Sequence, residues 1–179
     1  MSQTCSKIIQ DIDPNFKPTV SIILGSGLGE FSEHIKNKNE ISYKDLPGFP
    51  ETSVKGHSGK LAFGNIDGIQ ILVFQGRSHY YEKGDCSSMR VPIETIKSLG
   101  CNSLIITNSA GGINSEYKPG NVILINDHIN LTGTSPLIGQ TGSGKFIDMS
   151  ETYDIKQRKI FMDLARKKGF ELREGTYIW

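Results

Sequence analysis

The sequence has few cysteines and no long apolar run. Its three cysteines, Cys5, Cys86 and Cys101, show neither metal-binding nor redox spacing, and an odd number fits free thiols in a reducing compartment better than a disulfide framework. No stretch approaches the ~20 consecutive apolar residues that span a bilayer. The amino terminus also lacks the apolar segment of a signal peptide. We therefore expect a cytoplasmic protein with no membrane partner.

The sequence also lacks an excess of charge of one sign and several catalytic motifs. Lys and Arg number 20 against 19 Asp and Glu, a formal net charge of +1, so the basic stripe typical of a nucleic-acid-binding protein is missing. No serine has glycine both two residues before and two residues after it, which excludes the nucleophile elbow of hydrolases. H-E-x-x-H and C-x-x-C are absent, so a zinc site has no support. We expect no nucleic-acid partner and no metal.

Glycine, in contrast, is abundant, and strand patterns alternate with helix patterns. Twenty glycines in 179 residues suit a fold whose loops bring backbone close to a ligand. The length favours a single domain over residues 1–179. The alternation indicates an α/β protein with a sheet covered on both faces, including a hairpin with a two-residue turn at Asp67-Gly68. Periodicity predicts helices at 4–12, Ser87–Leu99 and Tyr153–Lys168, and strands at Thr19–Leu24, Lys60–Ile66, Ile69–Phe74, Ser103–Thr107, Val122–Asn126 and Gly175–Trp179. The remaining longer segments, predicted as loops, are 36–59, Gln75–Asp85 and 132–150.

Two loops that directly follow strands could bind an anion. In the loop Gly25–Gly29, backbone N–H groups and the Ser26 hydroxyl could converge on a negative charge, although a simple tight turn explains these glycines equally well. Arg77 and His79 point to the same side of an extended chain, and a guanidinium fork with a second donor could clamp an oxyanion. The alternative is a surface arginine beside a solvated histidine.

Two further loops are weaker candidates. His57 is flanked by glycines just before the predicted hairpin, where a histidine is more often structural or exposed than functional. The loop Asn108–Gly112 follows a strand and could present backbone amides to a ligand, or it could be a plain turn. Neither loop identifies a chemistry by its own residues.

Seven segments of the chain together match one enzyme family in both order and sequence. They are Leu24–Gly29, Gly56–Gly59, Gly76–Glu82, Thr107–Gly112, Asp127–Asn130, Gly133–Leu137 and Phe146–Ser150. They resemble the motifs of the trimeric, low-molecular-mass purine nucleoside phosphorylases, in particular their bacterial branch, and the resemblance covers residues 20–179. It implies a mixed, largely parallel central sheet flanked by helices.

The resemblance also implies roles for individual residues. Inorganic phosphate would be the co-substrate, with no other cofactor, and a purine nucleoside the substrate. Phe146 would reach into the site of a neighbouring subunit, which implies a homotrimer. The implied phosphate ligands are Ser26, Arg77, His79 and the backbone N–H of Ser109, with His57 beside the phosphate. The implied catalytic residues are His57 and His79. Tyr81 would face the ribose, and Ala110 and Gly111 would line the base pocket.

The chain departs from the family pattern in two ways. Ser109 stands where the family commonly has alanine, so its hydroxyl could add a phosphate contact. Family chains also continue well beyond Trp179 with the residues that bind the purine, so we expect residues 1–179 to be the amino-terminal part of a longer phosphorylase domain. The implied reaction is phosphorolysis of purine (deoxy)ribonucleosides to free base and (deoxy)ribose 1-phosphate. Two alternatives stay open: an inactive fragment that binds phosphate or a partner subunit, and a methylthioadenosine phosphorylase, in which threonine would replace Ser26.

Overall fold

The computed structural model describes residues 1–51, 58–142 and 146–179. His57, one of the two implied catalytic residues, lies outside the described residues. The chain divides into two units, Met1–Ala110 and Gly111–Trp179. The prediction of one domain over residues 1–179 stays a prediction.

A mixed five-stranded sheet forms the centre of the first unit. Its strand order is β2-β3-β4-β1-β5. Strands β2, β3 and β4 are antiparallel neighbours, whereas β1 runs parallel to both β4 and β5. The five strands are β1 Val20–Ile23, β2 Lys36–Ser42, β3 Lys60–Ile66, β4 Ile69–Gln75 and β5 Ser103–Ile106.

Apolar side chains alternate between the two faces of this sheet, as the twofold repeat of a strand requires. Helices α1 (Ser2–Ile12) and α3 (Arg90–Ser98) cover one face through a buried cluster that includes Cys5, Ile9, Ile96, Phe63 and Phe74. The opposite face carries a second buried cluster of Ile22, Leu24, Ile35, Ala62, Ile71 and Val73, against which Phe31 of a 3-10 helix, Gly29–His34, packs. The predicted α/β class, with a mixed sheet flanked by helices, is confirmed.

The structure confirms the hairpin and corrects two predicted loops. Asp67 and Gly68 both have positive φ angles, 48° and 83°, as a type I′ turn requires. The prediction of a loop over residues 36–59 was wrong, because β2 occupies its first part and a 3-10 helix, Tyr43–Asp45, follows. β2 is an edge strand in which only Ile41 is buried, so no apolar alternation marks it. Likewise α2 (Tyr80–Lys83) lies within the predicted loop Gln75–Asp85, and its four residues are too few for a periodic signal.

The second unit contains two parallel strands and one helix. Strand β6 (Val122–Ile129) pairs with β7 (Leu172–Ile178), and both are longer than predicted. Helix α4 (Ile155–Lys167) begins after Asp154, whose carboxylate accepts a hydrogen bond from the Gln157 N–H at 2.7 Å. Among the described residues, no helix is both long and apolar enough to cross a membrane.

Candidate active site

Three loops leave the central sheet side by side, because they follow parallel strands whose carboxyl ends are in register. Ile23 of β1 pairs with Phe74 of β4 on one side and with Ile106 of β5 on the other. The segments that follow these residues therefore begin side by side, which is the usual position of a ligand site in an α/β sheet. The first loop contains Ser26, the second contains Arg77 and His79, and the third contains Ser109.

Thr107 connects the first and third loops. Its hydroxyl accepts a hydrogen bond from the Gly25 N–H at 2.7 Å and donates one to the Ile23 carbonyl oxygen at 3.2 Å. A Cβ atom at position 25 would lie 2.9 Å from the Thr107 carbonyl oxygen and 3.3 Å from the Asn108 Cα, both of them backbone atoms. Only glycine allows the two loops to approach so closely.

Arg77 connects the second loop to the third. Its Nη1 donates a hydrogen bond to the Thr107 carbonyl oxygen, and the side chain is partly buried. A guanidinium has five N–H donors in a planar fork, so one donor can anchor the side chain while others face a ligand. The Arg77 guanidinium therefore lies where the three loops meet, on the same residue, Thr107, that binds the Gly25 amide of the first loop.

Glu82 orients His79. Its carboxylate accepts from the His79 backbone N–H at 2.6 Å and lies 2.9 Å from the His79 Nδ1, in a capping box at the start of α2. An ionised carboxylate only accepts hydrogen bonds, so the His79 Nδ1 donates to Glu82 in the tautomer that carries a proton there. The His79 ring stacks on Tyr81, with ring centroids 4.9 Å apart and planes at 17°. Tyr81 is largely exposed, so its ring face and hydroxyl are accessible.

Tyr43 is hydrogen-bonded to the backbone at the start of the second loop and at Gly59. Its hydroxyl donates to the Gly76 carbonyl oxygen at 2.8 Å, and its backbone N–H donates to the Gly59 carbonyl oxygen at 2.8 Å. Burial raises the pKa of the Tyr43 phenol well above its ordinary value, so the hydroxyl remains a donor at neutral pH. Gly76 has a φ angle of 116°, which a residue with a side chain rarely adopts.

Comparison with known proteins identifies the family. The family model described as the Phosphorylase superfamily matches residues 19–179. The chain belongs to the phosphorylase superfamily. It is 42% identical to purine nucleoside phosphorylase 1 of Geobacillus stearothermophilus, over 90% of this chain and 60% of the relative, and 38% identical to purine nucleoside phosphorylase 1 of Bacillus subtilis, over 89% and 60%. The chain therefore spans about 60% of the length of these curated relatives.

Solved structures of the same family share this fold. Isoform 2 of purine nucleoside phosphorylase from Schistosoma mansoni, in complex with cytosine and ribose-1-phosphate, matches with a TM-score of 0.91 at 35% identity, over 99% of this chain and 65% of that one. A purine nucleoside phosphorylase in complex with ribose-1-phosphate matches with a TM-score of 0.90 at 35% identity, over 99% and 68%. The resemblance to purine nucleoside phosphorylases that the loop motifs indicated is confirmed.

The residues implied by the phosphorylase motifs fall into three groups. Those in the first unit lie on the three loops just described, and Ser26, Ser109 and Ala110 are exposed there. Gly111 and Phe146 belong to the second unit, where Phe146 is 81% exposed. His57 is not among the described residues. Across the described ranges 1–51, 58–142 and 146–179, no group of three or more His, Cys, Asp or Glu side chains could hold a metal ion.

Sequence reasoning assigned no role to three residues that shape the phosphorylase loops. Glu82 had a usable signal, since a glutamate three residues after an N-cap position completes a capping box, with His79 here in place of serine or threonine. Tyr43 and Thr107 had none, because each acts through hydrogen bonds to residues that are distant in the sequence. Such contacts follow from sheet topology and leave no local pattern.

Proposed function

We propose that the protein containing this chain catalyses the phosphorolysis of purine nucleosides. The observation that carries the proposal is the junction at Thr107, where the Gly25 amide and the Arg77 guanidinium bind the same residue and so bring three candidate phosphate-binding loops together. The relatives at 38–42% identity are named purine nucleoside phosphorylases, which supports this reaction over other uses of an anion site.

Phosphate would be held by groups from all three loops. Ser26 supplies a hydroxyl, Arg77 a delocalised charge, and Ser109 a backbone N–H and a second hydroxyl. His79 would contribute its imidazole ring, which Glu82 orients through the contact at Nδ1. Charge-assisted hydrogen bonds of this kind are about twice as strong as neutral ones, and they suit a dianion. His57 would lie beside the same anion.

Catalysis would consist of holding this anion below the sugar. An oxygen of hydrogen phosphate attacks C1′ of the nucleoside as the C1′–N9 bond breaks, and the electron pair of that bond leaves with the purine. The purine takes up a proton from solvent, and the phosphate releases its own proton to solvent. The sugar passes through an oxocarbenium-like transition state, as in glycoside cleavage. A fixed phosphate lowers the entropic barrier and stabilises the developing positive charge. The reaction as written needs neither a metal nor an organic cofactor.

The other parts of the site complete the proposal. Tyr81, stacked on His79, would face the ribose, and Ala110 and Gly111 would line the base pocket. Phe146 would contribute to the site of a neighbouring copy in a homotrimer, a use that its 81% exposure allows. We place the reaction in the cytoplasm.

A second candidate function concerns residues 1–179 taken alone. Residues 1–179 span about 60% of the length of the curated relatives and include the candidate phosphate loops. On this reading the chain binds phosphate or a partner subunit without turnover. A methylthioadenosine phosphorylase is less favoured, because Ser26 stands where that group has threonine.

The test is phosphate-dependent release of hypoxanthine from inosine by the protein expressed from its complete reading frame. Arg77→Ala should raise the KM for phosphate by roughly 10- to 100-fold, as expected for a lost hydrogen-bonded charge. Arg166→Ala is the matched control, since the Arg166 side chain is 79% exposed and contacts Asp163 on the surface of α4. It should leave the KM unchanged.

Three outcomes separate the candidates. Base release that does not require phosphate would indicate a hydrolase and contradict the proposal. Equal KM values for Arg77→Ala and Arg166→Ala would remove Arg77 from the phosphate site. Phosphate binding by residues 1–179 without turnover, in a preparation whose longer form is active, would support the second candidate for this part of the chain.

A further inference from the structure

Gln75 is a buried polar residue at the end of the apolar strand β4, and both ends of its amide are bonded. Nε2 donates to Glu40 Oε1 at 3.3 Å, and Oε1 accepts from the Ser58 hydroxyl at 2.7 Å. Because an ionised carboxylate only accepts, the amide nitrogen must face Glu40, which leaves the amide oxygen for Ser58. The two partners thus determine the orientation of the amide.

The backbone of Gln75 strengthens the same connection. Its carbonyl oxygen accepts from the Gly59 N–H at 3.1 Å and lies 3.3 Å from the Ser58 hydroxyl, whose single proton is directed mainly to the closer amide oxygen. Ser58 directly follows His57, and Gln75 directly precedes Gly76 and Arg77. Ser58 and Gly59 are therefore attached to the beginning of the Arg77 loop.

Glu40 holds the outer end of this network. Its carboxylate receives a hydrogen bond from Lys60 Nζ at 3.0 Å and lies 3.5 Å from Lys38 Nζ, so it stays charged and in place. Glu40, Ser58 and Gln75 line a cavity of about 370 Å³ that Gly25, in the first loop, also lines. The network therefore adjoins the first anion loop as well as connecting the other two segments.

We infer that Gln75 is a positioning residue that holds the Ser58 segment and the Arg77 loop in one arrangement, and so sets the affinity for phosphate. The inference rests on the proposed function, because it assigns these segments to the phosphate side of that reaction. Gln75 does not touch the phosphate. It acts through Ser58 and through the backbone that carries Arg77.

The test uses Gln75→Leu in the protein expressed from its complete reading frame. Leucine keeps most of the buried volume and removes both amide hydrogen bonds. The KM for phosphate and the dissociation constant for phosphate, measured by calorimetry, should each rise roughly tenfold, while the KM for the nucleoside should change by less than about twofold. A merely structural role would not move phosphate and nucleoside constants differently.

The chain offers a matched control and a conservative variant. Gln70 lies at the opposite end of β4, where its amide bonds the backbone of Asn15 and Lys17, so Gln70→Leu should leave phosphate affinity unchanged. Glu40→Gln keeps an acceptor for Gln75 and should preserve phosphate affinity, whereas Glu40→Leu removes the acceptor and should weaken it. If Gln75→Leu does not fold, the difference between the two Glu40 variants decides the question.

Each outcome has a distinct meaning. Phosphate constants within about twofold of the unsubstituted protein in folded Gln75→Leu would overturn the inference and leave the proposed function intact. An equal loss in Gln70→Leu would also overturn it, since the effect would then belong to strand stability. Phosphate binding without base release would contradict the proposed function, and the calorimetric comparison would still decide the role of Gln75. No phosphate binding by the unsubstituted protein would overturn both.

Discussion

Replacing Tyr43 by phenylalanine removes the hydroxyl that is bonded to the start of the Arg77 loop and retains the ring. The hydroxyl donates to the Gly76 carbonyl oxygen at 2.8 Å, while the ring packs against Phe49 and Phe74 with centroids 5.2 and 6.4 Å away. Burial raises the pKa of Tyr43 above its ordinary value, so the lost group is a neutral donor throughout the usual assay range. The substitution therefore tests a single hydrogen bond.

The expected magnitude follows from burial. Tyr43 is 3% exposed, so water cannot replace its hydroxyl without rearrangement. A hydrogen bond contributes about 0.5–1.5 kcal/mol net, and a carbonyl left unsatisfied costs about 1–3 kcal/mol, so the free energy of unfolding should fall by about 1–2 kcal/mol. The Gly76 carbonyl belongs to the same planar peptide unit as the Arg77 N–H, and any rotation of that unit moves the start of the Arg77 side chain. The KM for phosphate should therefore rise several-fold.

Urea unfolding and phosphate-dependent base release measure the two effects. Tyr117→Phe is the control, because the Tyr117 hydroxyl donates to a backbone carbonyl, that of Glu174, at 3.3 Å in the second unit. That longer and more exposed bond should contribute little, so the control should retain both stability and phosphate KM. A stability change in Tyr43→Phe within the ~0.5 kcal/mol typical of surface substitutions would refute the burial argument. Lost stability with an unchanged phosphate KM would refute the effect on Arg77.

Two further substitutions test the loop junction and the Glu40 ion pair. Gly25→Ala places a Cβ 2.9 Å from the Thr107 carbonyl oxygen and should lower the stability measured by thermal unfolding by about 1–3 kcal/mol. In the control Gly29→Ala the new Cβ meets nothing within 4 Å, so the loss of stability should be smaller. Equal losses would contradict the close approach of the loops at Gly25. The Lys60 hydrogen bond holds the pKa of Glu40 below its ordinary value, so this pair stabilises the fold above about pH 4.3 and loses that contribution as pH falls through the lowered pKa. Lys60→Met should therefore lower the free energy of unfolding at pH 7, by under ~1 kcal/mol because the pair is partly exposed. Urea unfolding at pH 3 should show a smaller loss of stability. A loss of stability that is the same at both pH values would count against the ion pair.

The elements that could be predicted are those whose residues carry a local signal. Asp67-Gly68 identifies its hairpin because a type I′ turn needs two residues that tolerate positive φ. Strand β2 could not be found, because it lies at the sheet edge and exposes lysine, asparagine and glutamate side chains. β2 is a strand because it pairs with β3, and that pairing exists only in the folded chain.

The same distinction applies to the site. The motif around Arg77 and His79 could be found because its residues are consecutive and match a family. The way in which Arg77 is held could not be found, because its partner is the backbone carbonyl of Thr107, thirty residues later. A backbone acceptor has no residue type, so no sequence pattern could have indicated it.

Gln75 shows how a departure from pattern can still carry information. Strand β4 is apolar from Ile71 to Phe74, and a buried amide at its end costs free energy unless each polar atom is bonded. The described contacts satisfy both, with Ser58 on one side and Glu40 on the other. An apolar residue would fill the same space without needing partners, so packing alone does not explain a glutamine there. A connection between two loops does, because it requires a donor and an acceptor on one side chain.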